Sequence, residues 1–338
     1  MLTHELAEVN NFSPDNSWGL LLRKKFKIGA PGMLLSKIFK RNKRQKHLNL
    51  TGYIFITPWL LGFLAFTAIP MISSLYLSFT RYDLMSSPLW IGLGNYSRIL
   101  LHDNKVWQSI KITFTYVLVS VPLRLIFALF LAVLFAQKRM MVGLYRSLFY
   151  LPSLIGGSVA VAVTWRKLFG VKGALNSILM YLGIGKNFGW VTNPKTALWT
   201  IILLSVWQFG SSMLIFLAGL KQIPNSLYEA ASIDGANWWQ KFFRITIPML
   251  SPIIFFNLLM QTIFAFLIFT PAFIITRGGP IEKTQVYGLY IFIRAFNYHE
   301  MGYACALAWI LLFIVATITF ILFKVAPKWV YYESKGAF

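Results

Sequence analysis

The polar side chains that interrupt the long apolar stretches of this chain are its first candidates for chemistry. Asn257 and Gln261 lie four residues apart in one such stretch, so on a helix they share one face. Amides donate and accept hydrogen bonds, and aromatic rings offer stacking faces. Polar residues within membrane spans usually face an interior path, and the candidates for contact with a substrate on such a path are Asn257, Gln261, Gln208, Trp207, Tyr116 and Arg124. The alternative is that these side chains hydrogen-bond one helix to another.

Acid–base, nucleophilic and metal chemistry have few residues to work with. The apolar stretches contain no Asp, Glu or His, whereas a membrane enzyme or a proton-coupled carrier needs such groups at one depth. One cysteine, Cys305, and four scattered histidines do not form a zinc-ligand spacing. We therefore predict no catalytic residue and no metal site. Two functions that remain open as alternatives are a membrane channel and a secondary carrier that is not coupled to ATP.

The composition requires a lipid environment. The chain has 338 residues, 57% of them hydrophobic and only 12% charged, whereas a soluble domain carries about 25% charged residues. A bilayer core of roughly 30 Å needs about 20 helical residues. Six apolar stretches are long enough: 53–79, 109–135, 143–165, 197–220, 250–276 and 301–323. We predict an all-α integral membrane protein with six transmembrane helices.

Arg124 brings a full charge to the middle of the stretch 109–135. A charged side chain inside a membrane is costly and usually faces water or a partner. One hypothesis is that it meets an anionic substrate. The alternatives are a bond to backbone carbonyls at a helix interface, or a side chain that reaches the membrane surface.

Positive charge is concentrated before the first apolar stretch. Residues 1–52 hold ten of the 32 Lys and Arg residues, mixed with Leu, Ile and Phe as in an interfacial helix on an anionic leaflet. The alternative is a disordered basic tail. Placing this segment inside the cell puts 19 of the 32 basic residues on the inner side, so we predict cytoplasmic N- and C-termini. The net charge of +22 then reflects topology rather than nucleic-acid binding.

The loop 221–249 is unusually apolar for a segment outside the membrane, and its pattern predicts two short helices joined by a turn. Ser226 and Glu229 have the spacing of a capping box. Gly235 can adopt the left-handed conformation that ends the first helix. The second helix, NWWQKFFRI, is expected to end before Pro248. We expect Trp238, Trp239 and Phe243 to pack against the helix ends of the same chain.

The segment EAASIDGANWWQKFFRITIPMLSP, at 229–252, carries a spaced motif of Glu-Ala-Ala, Asp-Gly-Ala, an aromatic residue and Ile-x-x-Pro-x-x-x-Pro. It resembles the signature loop of ABC-importer permeases. The segments IGLGNY at 91–96, LKQIPNSLYEAA at 220–231, TRGGP at 276–280 and AFNYHEMGYACALAW at 295–309 resemble the carbohydrate branch of that family, the maltose and glycerol-3-phosphate type. The resemblance covers about residues 50–330.

This resemblance implies the type I permease arrangement and a coupling helix that docks on a cytoplasmic ATPase. It assigns Gly235 to a turn that allows close approach, Glu229 to an ionic or capping anchor, and Asp234 to a polar contact. The small side chains of Ala230, Ala231 and Ala236 would permit tight docking on the ATPase. The implied coupling residues are Glu229, Ala230, Ala231, Asp234, Gly235, Ala236 and Pro248.

The resemblance also implies partners and a location. These are a second permease subunit, expected to differ from this one, two cytoplasmic ABC ATPase subunits, an extracytoplasmic solute-binding protein and the lipid bilayer of a bacterial inner membrane. No cofactor is expected in this chain. It has no GxxxxGK[ST] phosphate loop, so ATP-Mg would bind the partner ATPase. The expected substrate is a sugar or oligosaccharide. Arg124 suggests an acidic one, such as a uronate oligosaccharide or a phosphorylated polyol.

Overall fold

The computed structural model of the protein describes residues 53–136, 142–183 and 188–331. The predicted basic N-terminal segment 1–52, with its interfacial helix, lies outside the described residues. The chain divides into two compact units, residues 1–72 and 73–338. The described part of the first unit is helical from Tyr53 onward, and the second unit carries all the other elements described below.

Helices account for most of the described chain. They are α1 Tyr53–Ser78, α2 Gly94–Ser97, α3 Asn104–Ala136, α4 Val142–Ile155, α5 Val159–Leu168, α6 Ala174–Tyr181, α7 Ala197–Trp207, α8 Gly210–Leu220, α9 Asn225–Ile233, α10 Trp238–Phe266, α11 Tyr287–Phe292 and α12 Met301–Val325. Five-residue π-helical turns lie at Leu64–Ala68, Arg98–His102, Phe242–Thr246, Ala272–Thr276 and Ile293–Asn297. Two short strands, β1 Thr80–Arg81 and β2 Leu89–Trp90, pair in antiparallel orientation.

The predicted all-α membrane fold is confirmed. In the described ranges, four helices (α1, α3, α10 and α12) are long and apolar enough to cross a membrane, and there are up to six spans if each of two bent pairs counts as one. Helix α3 packs against α7, α8 and α10. Its Ala128 and Ala132 are fully buried, and such small residues let neighbouring helices approach closely.

Two of the predicted spans are broken rather than continuous. The stretch 143–165 is divided into α4 and α5, which meet at an angle of 98°, and 197–220 is divided into α7 and α8, at 40°. Gly156 and Gly157 follow α4, and the Ser158 hydroxyl then caps α5 by accepting a hydrogen bond from the Val161 amide (3.3 Å). Apolarity alone cannot locate such breaks, because both halves of each pair remain apolar.

The helix at the predicted fifth span begins and ends earlier in the chain than the predicted bounds, 250–276. Helix α10 runs from Trp238 without interruption through Pro248 to Phe266. A proline normally clashes with the carbonyl four residues earlier. Here the preceding turn is π-helical, and the Ile247 amide bonds the Phe242 carbonyl five residues back, which accommodates the ring. The expectation that the second loop helix ends before Pro248 is therefore wrong.

A buried ion-pair cluster joins the segments before α3 and before α12. The Asp103 carboxylate accepts hydrogen bonds from the hydroxyls of Tyr290 (2.5 Å) and Tyr303 (2.6 Å) and from Arg294 (2.8 Å). Arg294 also pairs with Glu300 at 3.1 Å. Partial burial alone would raise the pKa of Asp103, but these three donors outweigh it and lower the pKa from 3.8 to about 2.

We predict that Asp103→Asn lowers the free energy of unfolding by about 2 kcal/mol at pH 7, the equivalent of that pKa difference. The folded pKa lies below the unfolded one, so the stabilisation is complete above about pH 4 and disappears as the pH falls towards 2. Thermal unfolding of the detergent-solubilised protein at pH 7 and pH 3 should show the difference between variant and wild type shrinking at the lower pH. Asp234→Asn, at an exposed carboxylate directly after α9, is the control. An equal difference at both pH values would contradict the role of the Asp103 charge.

Candidate functional site

The loop between α8 and α10 forms a helical hairpin, here defined as residues 225–241. Helix α9 ends in a Schellman arrangement, in which the Ala236 amide bonds the Ala231 carbonyl (2.8 Å) and the Gly235 amide bonds the Ser232 carbonyl (3.1 Å). Gly235 has φ +76°, the left-handed conformation that glycine adopts without strain. The residue pattern predicted this turn correctly.

Four further interactions fix the hairpin. The Asn237 side chain accepts from the Gln240 amide (2.9 Å), and the Gln240 side chain accepts from the Asn237 amide (2.8 Å), which makes a capping box at the start of α10. Lys241 donates to the Ser232 hydroxyl (2.6 Å), and the hydroxyls of Tyr228 and Thr246 are 2.9 Å apart. The Asn-x-x-Gln spacing was a readable signal for the cap, and we did not predict it.

The capping box predicted at Ser226 and Glu229 is not formed. Helix α9 begins after Pro224 with no side-chain cap, because the extended proline sets the start two residues earlier than the motif required. The coupling residues implied by the family resemblance lie along this hairpin and the start of α10. Glu229, Ala230, Asp234 and Gly235 are exposed, whereas Ala231, Ala236 and Pro248 are half-buried.

An aromatic patch, formed by Trp238, Trp239, Phe242 and Phe243, covers the start of α10. Trp238 stacks on Phe242 with ring centroids 5.3 Å apart, and Trp239 stacks on Phe243 at 6.1 Å. The exposed fractions of Trp238, Trp239 and Phe243 are 54%, 63% and 60%. The expectation that these three residues pack against the chain's own helix ends is therefore wrong. An apolar surface of this kind requires a membrane interface or a partner to cover it.

A polar cavity of about 270 Å³ lies between α3, α7, α10 and the segment after α10. Four of the six candidate substrate-contact residues line it: Tyr116, Arg124, Gln208 and Gln261. Ser205 and Thr270 add hydroxyl groups, and Phe264 and Phe269 add aromatic rings. The volume is just below the range of about 300–1,000 Å³ of small-molecule sites, and the mixed lining offers hydrogen bonds and stacking faces to a polyhydroxylated solute.

The two broken spans meet at Gln208, which lines the cavity. The Gln208 carbonyl accepts from Arg124 Nη2 (2.5 Å) and from the Ser153 hydroxyl (2.9 Å). The Gln208 side-chain amide donates to the Gly156 carbonyl (2.9 Å). The break between α7 and α8 therefore exposes the Gln208 carbonyl, to which Arg124 and Ser153 donate. The break between α4 and α5 exposes the Gly156 carbonyl, to which the Gln208 side chain donates. Ser153 and Gly156 were not predicted, since their role depends on the position of the breaks.

The other two candidate contacts lie elsewhere. Trp207 packs against Trp165, with ring centroids 5.7 Å apart, in a separate apolar cluster with Ala162 and Ile275. Asn257 is buried, and its amide donates to the Ile253 carbonyl of its own helix (3.3 Å). Gln261, one turn further along α10, bonds the Ser212 hydroxyl of α8 (3.1 Å), so it combines a helix-to-helix bond with a place on the cavity wall.

Helix α10 joins the two features, because it starts in the hairpin and reaches the cavity at Gln261 and Phe264. Apolar spans that line a polar cavity, together with an exposed helical hairpin, define the class of this protein as a helical component of a membrane transporter. The chain belongs to the family described as "Binding-protein-dependent transport system inner membrane component", whose model matches residues 91–330. It is thus a multi-pass membrane protein, and the predicted membership of the ABC-importer permeases is confirmed.

Individual relatives agree with the family. The chain is 60% identical to a probable ABC transporter permease protein, YesP, of Bacillus subtilis (strain 168), over 91% of this chain and 98% of the relative. It is 32% identical to the lactose transport system permease protein LacF of Rhizobium radiobacter, over 85% and 98% of the two chains.

A solved structure shares the fold. It is a chain of a bacterial ABC transporter involved in the import of the acidic polysaccharide alginate. The TM-score is 0.72 at 22% identity, with 86% of this chain and 99% of that chain covered. At this identity the likeness concerns the fold alone.

Proposed function

We propose that this chain is the membrane permease subunit of an ATP-driven importer for a sugar or oligosaccharide, and that it couples the closure of ATPase subunits to alternating access of the cavity. The named substrates of its relatives, lactose among them, support a saccharide. The cavity supports the same class, since its hydroxyl, amide and aromatic lining suits a polyhydroxylated ring.

The observation that carries the proposal is the hairpin 225–241. It presents small residues and a glycine at its tip, where a Cβ added at Gly235 would meet no atom within 4 Å. A partner surface can therefore approach the backbone of the turn closely. The exposed Ile233 (88%) beside this tip adds apolar surface that a docked ATPase would bury.

Helix α10 supplies a mechanical link between the hairpin and the cavity. The distance along its axis from Trp238 to Gln261 is roughly 35 Å at 1.5 Å per residue. Because no break interrupts it at Pro248, a displacement of the hairpin moves the cavity wall as well.

The proposed assembly follows from this role. Two cytoplasmic ATPase subunits bind ATP-Mg and the hairpins, a second and different permease subunit completes the pathway, and an extracytoplasmic binding protein delivers the solute. The chain itself holds no cofactor. With the N-terminus inside, the hairpin faces the cytoplasm of a bacterial cell, and the protein resides in the inner membrane.

Purification of the tagged full-length chain from its own host tests the proposal. We expect an ATPase and a second permease to co-purify, and ATP hydrolysis in proteoliposomes to rise several-fold when saccharide-loaded binding protein is added. A chain that purifies without an ATPase, and that conducts solutes or ions in ATP-free proteoliposomes, would support the channel or secondary-carrier alternative and contradict the proposal.

A further inference from the structure

Arg124 has more hydrogen-bonding capacity than the protein itself uses. It lies near the middle of α3 and lines the polar cavity. One of its amino groups, Nη2, donates to the Gln208 carbonyl at 2.5 Å. Its Nε is buried and has no hydrogen-bond partner among the described residues. A buried donor left without a partner is destabilising, so a ligand that accepts from this guanidinium would recover that loss.

The charge of Arg124 is also unbalanced. No Asp or Glu is among the described residues that line the cavity, and Arg124 is the one charged residue among them. A buried charge without a counter-ion carries a desolvation penalty, and one neutral carbonyl offsets only part of it. The cavity therefore has a net positive charge and favours an anion.

The size of this charge selects the kind of anion. A single guanidinium matches a single carboxylate in charge, and its planar donors can bond both carboxylate oxygens. A phosphate ester carries about −1.5 to −2 at pH 7, and so would leave negative charge uncompensated in the same cavity. Tyr116, Gln261 and Phe264 line the cavity with Arg124 and would contact the hydroxyls and ring of the sugar that bears the carboxylate.

We propose that the cavity binds one uronate ring of an acidic saccharide, and that Arg124 binds the carboxylate of that ring. The remaining rings of an oligosaccharide, with their carboxylates, lie outside the cavity. This inference rests on the proposed import function and adds the chemical class of the substrate. It assigns Arg124 two roles, as a partner of the Gln208 carbonyl and as the residue that selects an acidic over a neutral sugar.

Ligand-induced thermal stabilisation of the detergent-solubilised full-length complex, measured without ATP or binding protein, tests the inference. The probes are trigalacturonate and its methyl ester, which differ in charge but share the sugar rings, and glucose 6-phosphate as a phosphorylated sugar. We expect trigalacturonate to raise the unfolding temperature of the wild type, and the other two probes to leave it unchanged. For Arg124→Gln, we expect the trigalacturonate affinity to fall at least tenfold.

Arg146→Gln is the matched control. Arg146 also donates to a backbone carbonyl, that of Phe135 (2.6 Å), and also has a buried Nε without a partner among the described residues, but it does not line the cavity. We expect Arg146→Gln to retain the trigalacturonate effect.

Arg124→Lys keeps the charge and replaces Arg124→Gln as the test if Arg124→Gln fails to assemble. We expect Arg124→Lys to bind trigalacturonate more weakly than the wild type does, but in preference to the methyl ester.

Three results would overturn the inference: equal stabilisation of the wild type by the acid and its ester, a stronger effect of glucose 6-phosphate, or an unchanged trigalacturonate affinity in Arg124→Gln. None of them bears on ATP coupling. ATP-driven uptake of neutral saccharides alone would remove the acidic substrate and leave the importer function intact, whereas absence of ATP-driven uptake of any saccharide would remove the importer function itself.

Discussion

Gly235→Asp is expected to abolish coupled uptake while the chain still folds and inserts. The turn at Gly235 leaves open space around an added Cβ, and Asp tolerates the left-handed conformation better than most residues. The new carboxylate would, however, occupy the surface through which the hairpin is proposed to dock, next to Asp234. We expect uptake by the reconstituted transporter to fall at least about tenfold, which corresponds to about 1.4 kcal/mol of lost coupling, with ATP hydrolysis no longer stimulated by loaded binding protein.

Gly183→Asp is the matched control. Gly183 also has a positive φ (+70°) and no atom within 4 Å of an added Cβ, so the substitution imposes a similar backbone strain away from the hairpin. We expect wild-type uptake from it. Gly235→Asn separates the effect of the turn conformation from the effect of a charge at the docking surface, because Asn adopts the left-handed conformation without adding charge. Normal uptake and normal stimulation of the ATPase by Gly235→Asp would show that the hairpin tip does not dock.

Gly156→Ala is expected to destabilise the junction of the two broken spans. An added Cβ would lie 2.5 Å from the Pro152 carbonyl oxygen and 2.7 Å from Cδ of Gln208, closer than carbon atoms can pack. The carbonyl belongs to the backbone of α4 and cannot easily move, so Gln208 must be displaced from its bond with Gly156. Overpacking of this kind typically costs about 1–3 kcal/mol, and we expect a lower unfolding temperature and weaker saccharide uptake.

Gly143→Ala is the control for this second prediction. Gly143 lies near the start of α4, the helix that Gly156 follows. An added Cβ at Gly143 meets no atom within 4 Å, so alanine should leave the unfolding temperature unchanged or raise it slightly through its better helix propensity. Equal unfolding temperatures for Gly156→Ala and Gly143→Ala would contradict the close packing at Gln208.

The hairpin turn could be predicted from the sequence because its determinants are local. A glycine after the helical segment EAASI predicts a left-handed C-terminal residue, and the structure places Gly235 in that conformation. Apolar length likewise predicts membrane helices such as α3 and α12. The prediction of contact residues from polar or aromatic side chains in apolar stretches was less successful. The polar Asn257 and the aromatic Trp207 both lie in such stretches, yet neither lines the cavity.

The features that escaped prediction depend on contacts distant in sequence. The bond to a backbone carbonyl that was one alternative for Arg124 is formed, but its acceptor, Gln208, lies 84 residues away and could not be located from the sequence. The Asp103 cluster joins residues about 190 positions apart. The continuous path of α10 through Pro248 depends on a π-helical turn, whose shifted hydrogen bonds have no distinct residue signature. Hydropathy detects that a span exists, but the breaks that shape the cavity follow from backbone groups satisfied by neighbouring helices.

Cross-linking at the hairpin tip tests the central claim, that this hairpin docks on an ATPase, most directly. Ala236→Cys in a Cys305→Ser background of the complete purified transporter gives one defined reactive site on this chain, and a short bifunctional reagent followed by mass spectrometry identifies its neighbour. We expect a cross-link to the co-purified ATPase, and none from Met85→Cys, in the exposed loop before β2. A cross-link from Ala236→Cys to the extracytoplasmic binding protein, or no cross-link to the ATPase, would contradict the claim.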